Sequence, residues 1–146
     1  MFHDTAGEEE LTQQIIGCAI RVHQALGPGM FESIYTRCLG IELKASVLRW
    51  IPRDESRLYI AGRTSGAAFC PDIIVNNAVL VELKAVEALV RVHKTQVITY
   101  LKVTGLRVGL LINFNVDKLT DGVRRGARPD LYVKDHQPPP FLPPPV

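Results

Sequence analysis

At 146 residues the chain has the length of one domain, with a core large enough to need no disulfide or metal staple. Apolar content of 47% and charged content of 22% exclude a disordered or fibrous chain, and a formal charge of +2 leaves nucleic-acid binding to a local basic patch. Residues 1–10 carry no signal-peptide pattern, and no apolar run reaches the roughly 18 residues of a membrane span. Cys18, Cys38 and Cys70 are odd in number and lack metal-type spacing. A soluble, cytoplasmic protein with reduced thiols and no membrane segment is therefore expected.

The first helix is predicted over Gly7 to Leu26, with Glu8, Glu9 and Glu10 at its positive end and Leu11, Ile15, Ala19, Val22 and Leu26 as its core stripe. His23 lies beside that stripe, where a histidine is more often a satisfied boundary residue than a ligand. Gly27-Pro28-Gly29 stops this helix, and a second runs from about 29 to 45. Its apolar side is Phe31, Ile34, Tyr35, Cys38 and Leu39. Glu32 falls in its first turn, either as a dipole-favoured charge or as a carboxylate sent to a site elsewhere. Short extended pieces follow at Val47 to Ile51, Leu58 to Ile60 and Ala67 to Val75, separated by the polar turn after Pro52 and by Gly62 to Gly66. Trp50 has no assigned face.

Pro71 to Ala85 reads as two β-branched runs around an Asn-Asn turn. A two-residue turn at Asn76-Asn77 sets Asp72 against Val81 and puts Glu82 on the other face. A three-residue loop, Asn76 to Ala78, sets Asp72 against Glu82 and groups both with Lys84. In that register the carboxylates stand about 5 Å apart at Cβ and repel unless a cation lies between them. Hard oxygen ligands of this kind suit Mg²⁺ or Mn²⁺. The plainer alternative is a surface hairpin with a solvated Glu82–Lys84 ion pair.

A helix is expected from Val86 to Lys102, stopped by Gly105, with an inner stripe of Leu89, His93, Gln96, Tyr100 and Val103. A glutamine in such a stripe needs partners, either backbone at a sheet edge or the hairpin site. Leu106 to Phe114 reads as a strand buried on both faces, joined through that helix to the preceding strand. Residues 117–126 look like a short basic helix, whose Arg124 and Arg125, with Arg128, could hold phosphates or simply face solvent. Residues 1–128 form the expected domain. Residues 129–146 form a proline-rich, disordered or polyproline II tail.

Gly29-Met30-Phe31-Glu32-Ser33-Ile34-Tyr35 resembles the Gly-x-x-Glu-x-x-Tyr signature of the small bacterial GxxExxY proteins of the PD-(D/E)xK nuclease superfamily. Leu26-Gly27-Pro28-Gly29, Asp72-Ile-Ile-Val, Val81-Glu-Leu-Lys-Ala, His93 with Gln96, Thr99-Tyr100-Leu101-Lys102 and Gly109-Leu-Leu-Ile-Asn-Phe extend the likeness over about residues 10–47 and 70–126. It implies an α/β (α+β) fold with a restriction-endonuclease-like core, a small mixed sheet whose antiparallel hairpin is flanked by helices. It also implies that Asp72 and Glu82 are metal ligands with Glu32 as an additional one, and that Lys84 is the catalytic lysine. Gln96 and Tyr100 look like the Gln-x-x-x-Tyr motif of exonuclease-type members, with catalytic and substrate-binding roles.

Two functions follow as expectations. The first is a Mg²⁺- or Mn²⁺-dependent phosphodiester hydrolase acting on nucleic acid, DNA ahead of RNA, with Arg124 and Arg125 among the substrate-binding residues and a homodimer or protein partner adding grip. The second is a non-catalytic module that binds nucleic acid or protein on the same fold. A purely structural protein would instead point Asp72, Glu82 and Lys84 to solvent, far from Gln96.

Overall fold

A computed structural model describes residues 5–53 and 71–128. Helix α1 spans Thr5–Leu26 and α2 spans Glu32–Ala45. Strands follow at β1 (Trp50–Pro52), β2 (Ile73–Val75) and β3 (Val79–Lys84), then helix α3 (Arg91–Thr104), strand β4 (Val108–Asn113), a 3₁₀ turn (Leu119–Gly122) and strand β5 (Val123–Ala127). The expected strand at Leu58–Ile60, the beginning of the one from Ala67, Cys70 and the proline-rich tail lie outside the described residues.

Among the described residues, five strands form one sheet in chain order. All neighbours are antiparallel except β3 and β4, which run parallel through the α3 crossover. This connection is what a strand–helix–strand unit requires, since parallel neighbours cannot be joined by a tight turn. Helices α1 and α2 cover one face over Ile73, Val75, Val79, Val81, Leu83, Leu110 and Ile112. Helix α3 covers the other, with Val97, Tyr100 and Leu101 against Ile51, Ile74, Leu80 and Leu111. The result is the expected mixed α/β, restriction-endonuclease-like core, buried on both faces of its central strands.

The α1 stripe is buried as its periodicity requires, apart from a half-buried Leu26. Helix α2 starts later than expected, at Glu32, because Phe31 is its extended N-cap residue. Phe31 thus leaves the helical phase and is 81% exposed, whereas Tyr35, Leu39 and Leu43 turn inward. The corner before it is held by the Tyr35 hydroxyl, which donates to Gly27 O at 2.6 Å and accepts from Met30 N–H at 3.1 Å. Trp50 faces α2 and fills the space left by Gly40, where a Cβ would come within 2.5 Å of the indole ring.

Three expectations need correction. Helix α3 begins at Arg91, not Val86, because the Asn113 amide accepts from Val86 N–H (3.0 Å) and donates to Val86 O (2.9 Å). Those bonds give the backbone partners outside a helix. Its buried stripe is Val97, Tyr100, Leu101 and Thr104, rotated from the expected one, so His93 and Gln96 lie at the rim. Residues 117–126 form no basic helix but the 3₁₀ turn and β5, which pairs with β4 as an edge strand. Exposed arginines there suit an edge that must not pair with another chain.

Candidate active site

The hairpin has the three-residue loop: Val75 pairs with Val79 and Ile73 with Val81. Asn76 and Asn77 take left-handed backbone conformations, which asparagine tolerates better than most residues. One step beyond the last pair, Asp72 stands across from Glu82. Each acid takes a backbone N–H from the other strand: Asp72 N–H donates to Glu82 Oε1 at 3.2 Å, and Leu83 N–H donates to Asp72 Oδ2 at 2.8 Å. Both side chains are buried on the α3 side of the sheet. The reciprocal bonds fix the two carboxylates and leave Asp72 Oδ1 and Glu82 Oε2 turned toward the site.

Each of those oxygens meets a cation. Arg53 Nη2 lies 2.6 Å from Asp72 Oδ1, and Lys84 Nζ lies 3.7 Å from Glu82 Oε2. Lys84 also donates to Gln96 Oε1 at 3.1 Å, and Gln96 Nε2 donates to the Tyr100 hydroxyl at 3.2 Å. Gln96 therefore has partners on both ends of its amide, which accounts for a glutamine at the inner rim of α3. Burial, together with the facing charge of Asp72, pushes the Glu82 carboxyl up to about 8, while Lys84 pulls the other way. Burial would lower the Arg53 pKa, but the bond to Asp72 and the charges of Asp72 and Glu82 raise it above the ordinary arginine value.

An open cleft of about 470 Å³ adjoins this chain of bonds, lined by Lys84, Val92, His93, Thr95, Gln96, Thr99 and Tyr100. Lys84 is common to the cleft and the acidic pair. His93 Nδ1 accepts from Val90 N–H at 3.0 Å and caps α3.

Asp72, Glu82, Lys84, Gln96 and Tyr100 are thus gathered on one face. Glu32 is not among them. It is exposed at the start of α2, in the helix layer of the opposite face, and no cluster of three or more metal-binding side chains forms among the described residues. Arg124 and Arg125 separate, because neighbours on a strand point to opposite faces. Arg124 is exposed and pairs in register with Leu111, which pairs with Glu82, so it shares the site face two strands away. Arg125 turns to the α1 side and bonds Glu9 at 3.2 Å. His23 is the satisfied boundary residue expected, its Nε2–H donating to Val116 O at 2.8 Å.

Arg53 escaped the sequence reading, where it was part of a polar turn. The signal was its place next to the Pro52–Ile73 pair, which Asp72 also adjoins, but that pairing joins strands far apart in sequence.

Two buried carboxylates facing each other across the hairpin, with a lysine beside them, are hard oxygen donors of a kind that fits a divalent ion. Among the described residues, no helix is long and apolar enough to cross a membrane. No curated protein and no solved structure matches the chain. A family model described as the PD-(D/E)XK nuclease superfamily matches residues 9–126, from the first turns of α1 to the end of β5. With most of its length inside that match and Asp72, Glu82 and Lys84 on one face of the sheet, the chain belongs to the PD-(D/E)XK nuclease superfamily.

Proposed function

We propose that the protein is a metal-dependent nuclease that hydrolyses phosphodiester bonds in nucleic acid, DNA ahead of RNA. The observation that carries this reading is the continuous arrangement of Asp72, Glu82, Lys84, Gln96 and Tyr100 beside an open cleft. Asp72 and Glu82 would hold Mg²⁺ or Mn²⁺, a group whose chemistry is to acidify water and neutralise charge on a phosphoryl oxygen.

The remaining work falls to the chain's own side chains. Lys84, steadied by Gln96 Oε1, orients the attacking water or offsets charge developing on the phosphate. Gln96 and Tyr100 present an amide and a hydroxyl to the cleft and position the substrate. Arg124, on the site face at the exposed edge, contacts the phosphate backbone, while Arg125 serves first to hold α1. Glu32 stands one turn before Tyr35, which stacks on Phe114 at the end of the sheet where Lys84 sits. Its route into the chemistry is a second ion rather than the Asp72–Glu82 position. Within the superfamily, Gly29, Glu32 and Tyr35 favour the GxxExxY group. We place the protein in the cytoplasm, with residues 1–128 as its domain and a second copy or a protein partner completing the grip on substrate.

The test is Mg²⁺- and Mn²⁺-dependent cleavage of a panel of single- and double-stranded DNA and RNA by wild type and Lys84→Ala. Cutting by the wild type and its loss in the variant is the expected result. Equal cutting by both would mark a contaminant. No cutting, together with unchanged melting in millimolar metal, would favour the non-catalytic binding module, for which the Arg53–Asp72 ion pair is the structural argument.

A further inference from the structure

The geometry points to Arg53 as an exchangeable cation: it holds Asp72 until a divalent ion displaces it, and then binds a substrate phosphate on the same face. This rests on the metal-site reading above.

The side chains in question form a row across the sheet. Arg53, next in the chain after the Pro52–Ile73 pair, is set beside Asp72 by their ion pair; Asp72 faces Glu82 across the hairpin, and strand register sets Glu82 beside Leu111 and Leu111 beside Arg124. Of the four carboxylate oxygens, two are taken by backbone N–H groups. The other two each face a side-chain cation, so an incoming ion must compete with both. The two cations are not equivalent. Lys84 is largely covered, its side chain 16% exposed. Arg53 lies beyond the end of β1, and its side chain is half exposed.

A guanidinium keeps its proton at any relevant pH, so Arg53 can leave Asp72 Oδ1 only by moving. A divalent ion binds such an oxygen at about 2.0–2.1 Å and would repel a guanidinium held 2.6 Å from the same atom. Of the two cations, Arg53 is the one whose side chain is half open to solvent, and displacement falls to it. Its main chain follows directly on the Pro52–Ile73 pair, so the displaced fork remains near the site, where a phosphate offers two oxygens in matching geometry. Ion binding then has two effects at once: it fills the acidic pair and releases a phosphate ligand.

The experiment measures Mn²⁺ binding to the full chain by titration calorimetry without nucleic acid. Binding of a single-stranded oligonucleotide in Ca²⁺ is measured separately, over a range of salt. Arg53→Ala is expected to bind Mn²⁺ at least about fivefold more tightly than wild type. Its oligonucleotide affinity should be weaker, with a salt slope smaller by about 0.7. Arg124→Ala removes the same charge from the same row without touching Asp72, and its Mn²⁺ affinity should stay within about twofold of wild type. Arg53→Lys keeps the charge but loses the fork, and should fall between wild type and Arg53→Ala in oligonucleotide affinity.

Mn²⁺ affinity of Arg53→Ala equal to or weaker than wild type, with normal melting, overturns the inference while leaving the metal site standing. An equal gain in Arg124→Ala also overturns it, since the effect would then be long-range charge alone. No Mn²⁺ binding by wild type or by Arg53→Ala removes the metal-site reading and this inference together.

Discussion

Asp72 and Glu82 hold one another through the main chain: the N–H of Asp72 itself donates to Glu82, while Asp72 takes the N–H next to Glu82. The arrangement keeps two like charges together in a buried place, and its cost falls on Glu82, the more deeply buried of the pair at 2% exposure.

That cost sets a pH dependence. Glu82 titrates at about 8 in the folded protein and near ~4.3 in the unfolded chain. The folded state binds this proton more tightly, so stability falls as pH rises between the two values, and the loss is complete above the folded one. Relative to wild type, Glu82→Gln should gain stability over this window, by on the order of a few kcal/mol at pH 8.5 and little at pH 4. Urea melts of both proteins across that range check it. Curves that stay parallel would mean that Glu82 is charged throughout.

Gly40 and Trp50 give a packing prediction. A Cβ at Gly40 would lie 2.5 Å from the indole ring, between α2 and β1. Gly40→Ala should destabilise the fold by about 1–3 kcal/mol, the usual range for overpacking. Thermal melting of the variant decides, and an unchanged midpoint would show that Trp50 yields freely.

Val47 gives the opposite sign. It follows α2 with φ of 61°, a left-handed conformation unfavourable for a β-branched residue, and is 90% exposed. Leu48 N–H reaches back to Leu43 O at 3.0 Å, the helix-ending bond in which glycine is usual at the position Val47 occupies. Val47→Gly should stabilise by about 1 kcal/mol, since little packing is lost. A lower melting temperature would count against this assignment of the helix end.

Asn113 holds the exit of β3. It is buried, and its amide serves Val86 N–H, Val86 O and Asn115 N–H. Asn113→Ala takes this acceptor from Val86 N–H and Asn115 N–H and leaves Val86 O only the Asn115 amide at 3.4 Å, and should cost about 1–3 kcal/mol. Because Val86 lies two residues beyond Lys84, the proposed nuclease activity should fall further than the loss of folded protein explains. Activity measured per folded molecule separates the two effects.

The legible parts were those whose partners lie close in sequence. The α1 stripe and the Gly105 stop needed only helical spacing, and Gly105 does cap α3 with φ of 79°. The hairpin faces were legible up to one ambiguity, whether Ala78 belongs to the loop. Part of the answer comes from another strand: Asn76 N–H donates to Arg49 O at 2.7 Å and Asn76 Oδ1 accepts from Arg49 N–H at 2.9 Å. The misjudged start of α3 has the same cause, since Asn113 captures Val86 from 27 positions away. At 117–126 the basic residues suggested a helix, but pairing with β4 determined the conformation. Arg53 was missed because its meaning depends on a strand it meets only in the folded sheet.

The two ends of this core are fastened to each other. Glu8 and Glu9 on the first turns of α1 bond Arg107 and Arg125, at 2.9 and 3.2 Å, across nearly the whole sequence. During synthesis these two pairs can form only after most of the described core has been made. The acids on β2 and β3 leave the ribosome earlier, but β3 has no second neighbour until β4 follows α3. Contacts of such long range slow folding, so in the nascent chain the face that carries Asp72 and Glu82 is complete only once β4 lies beside β3.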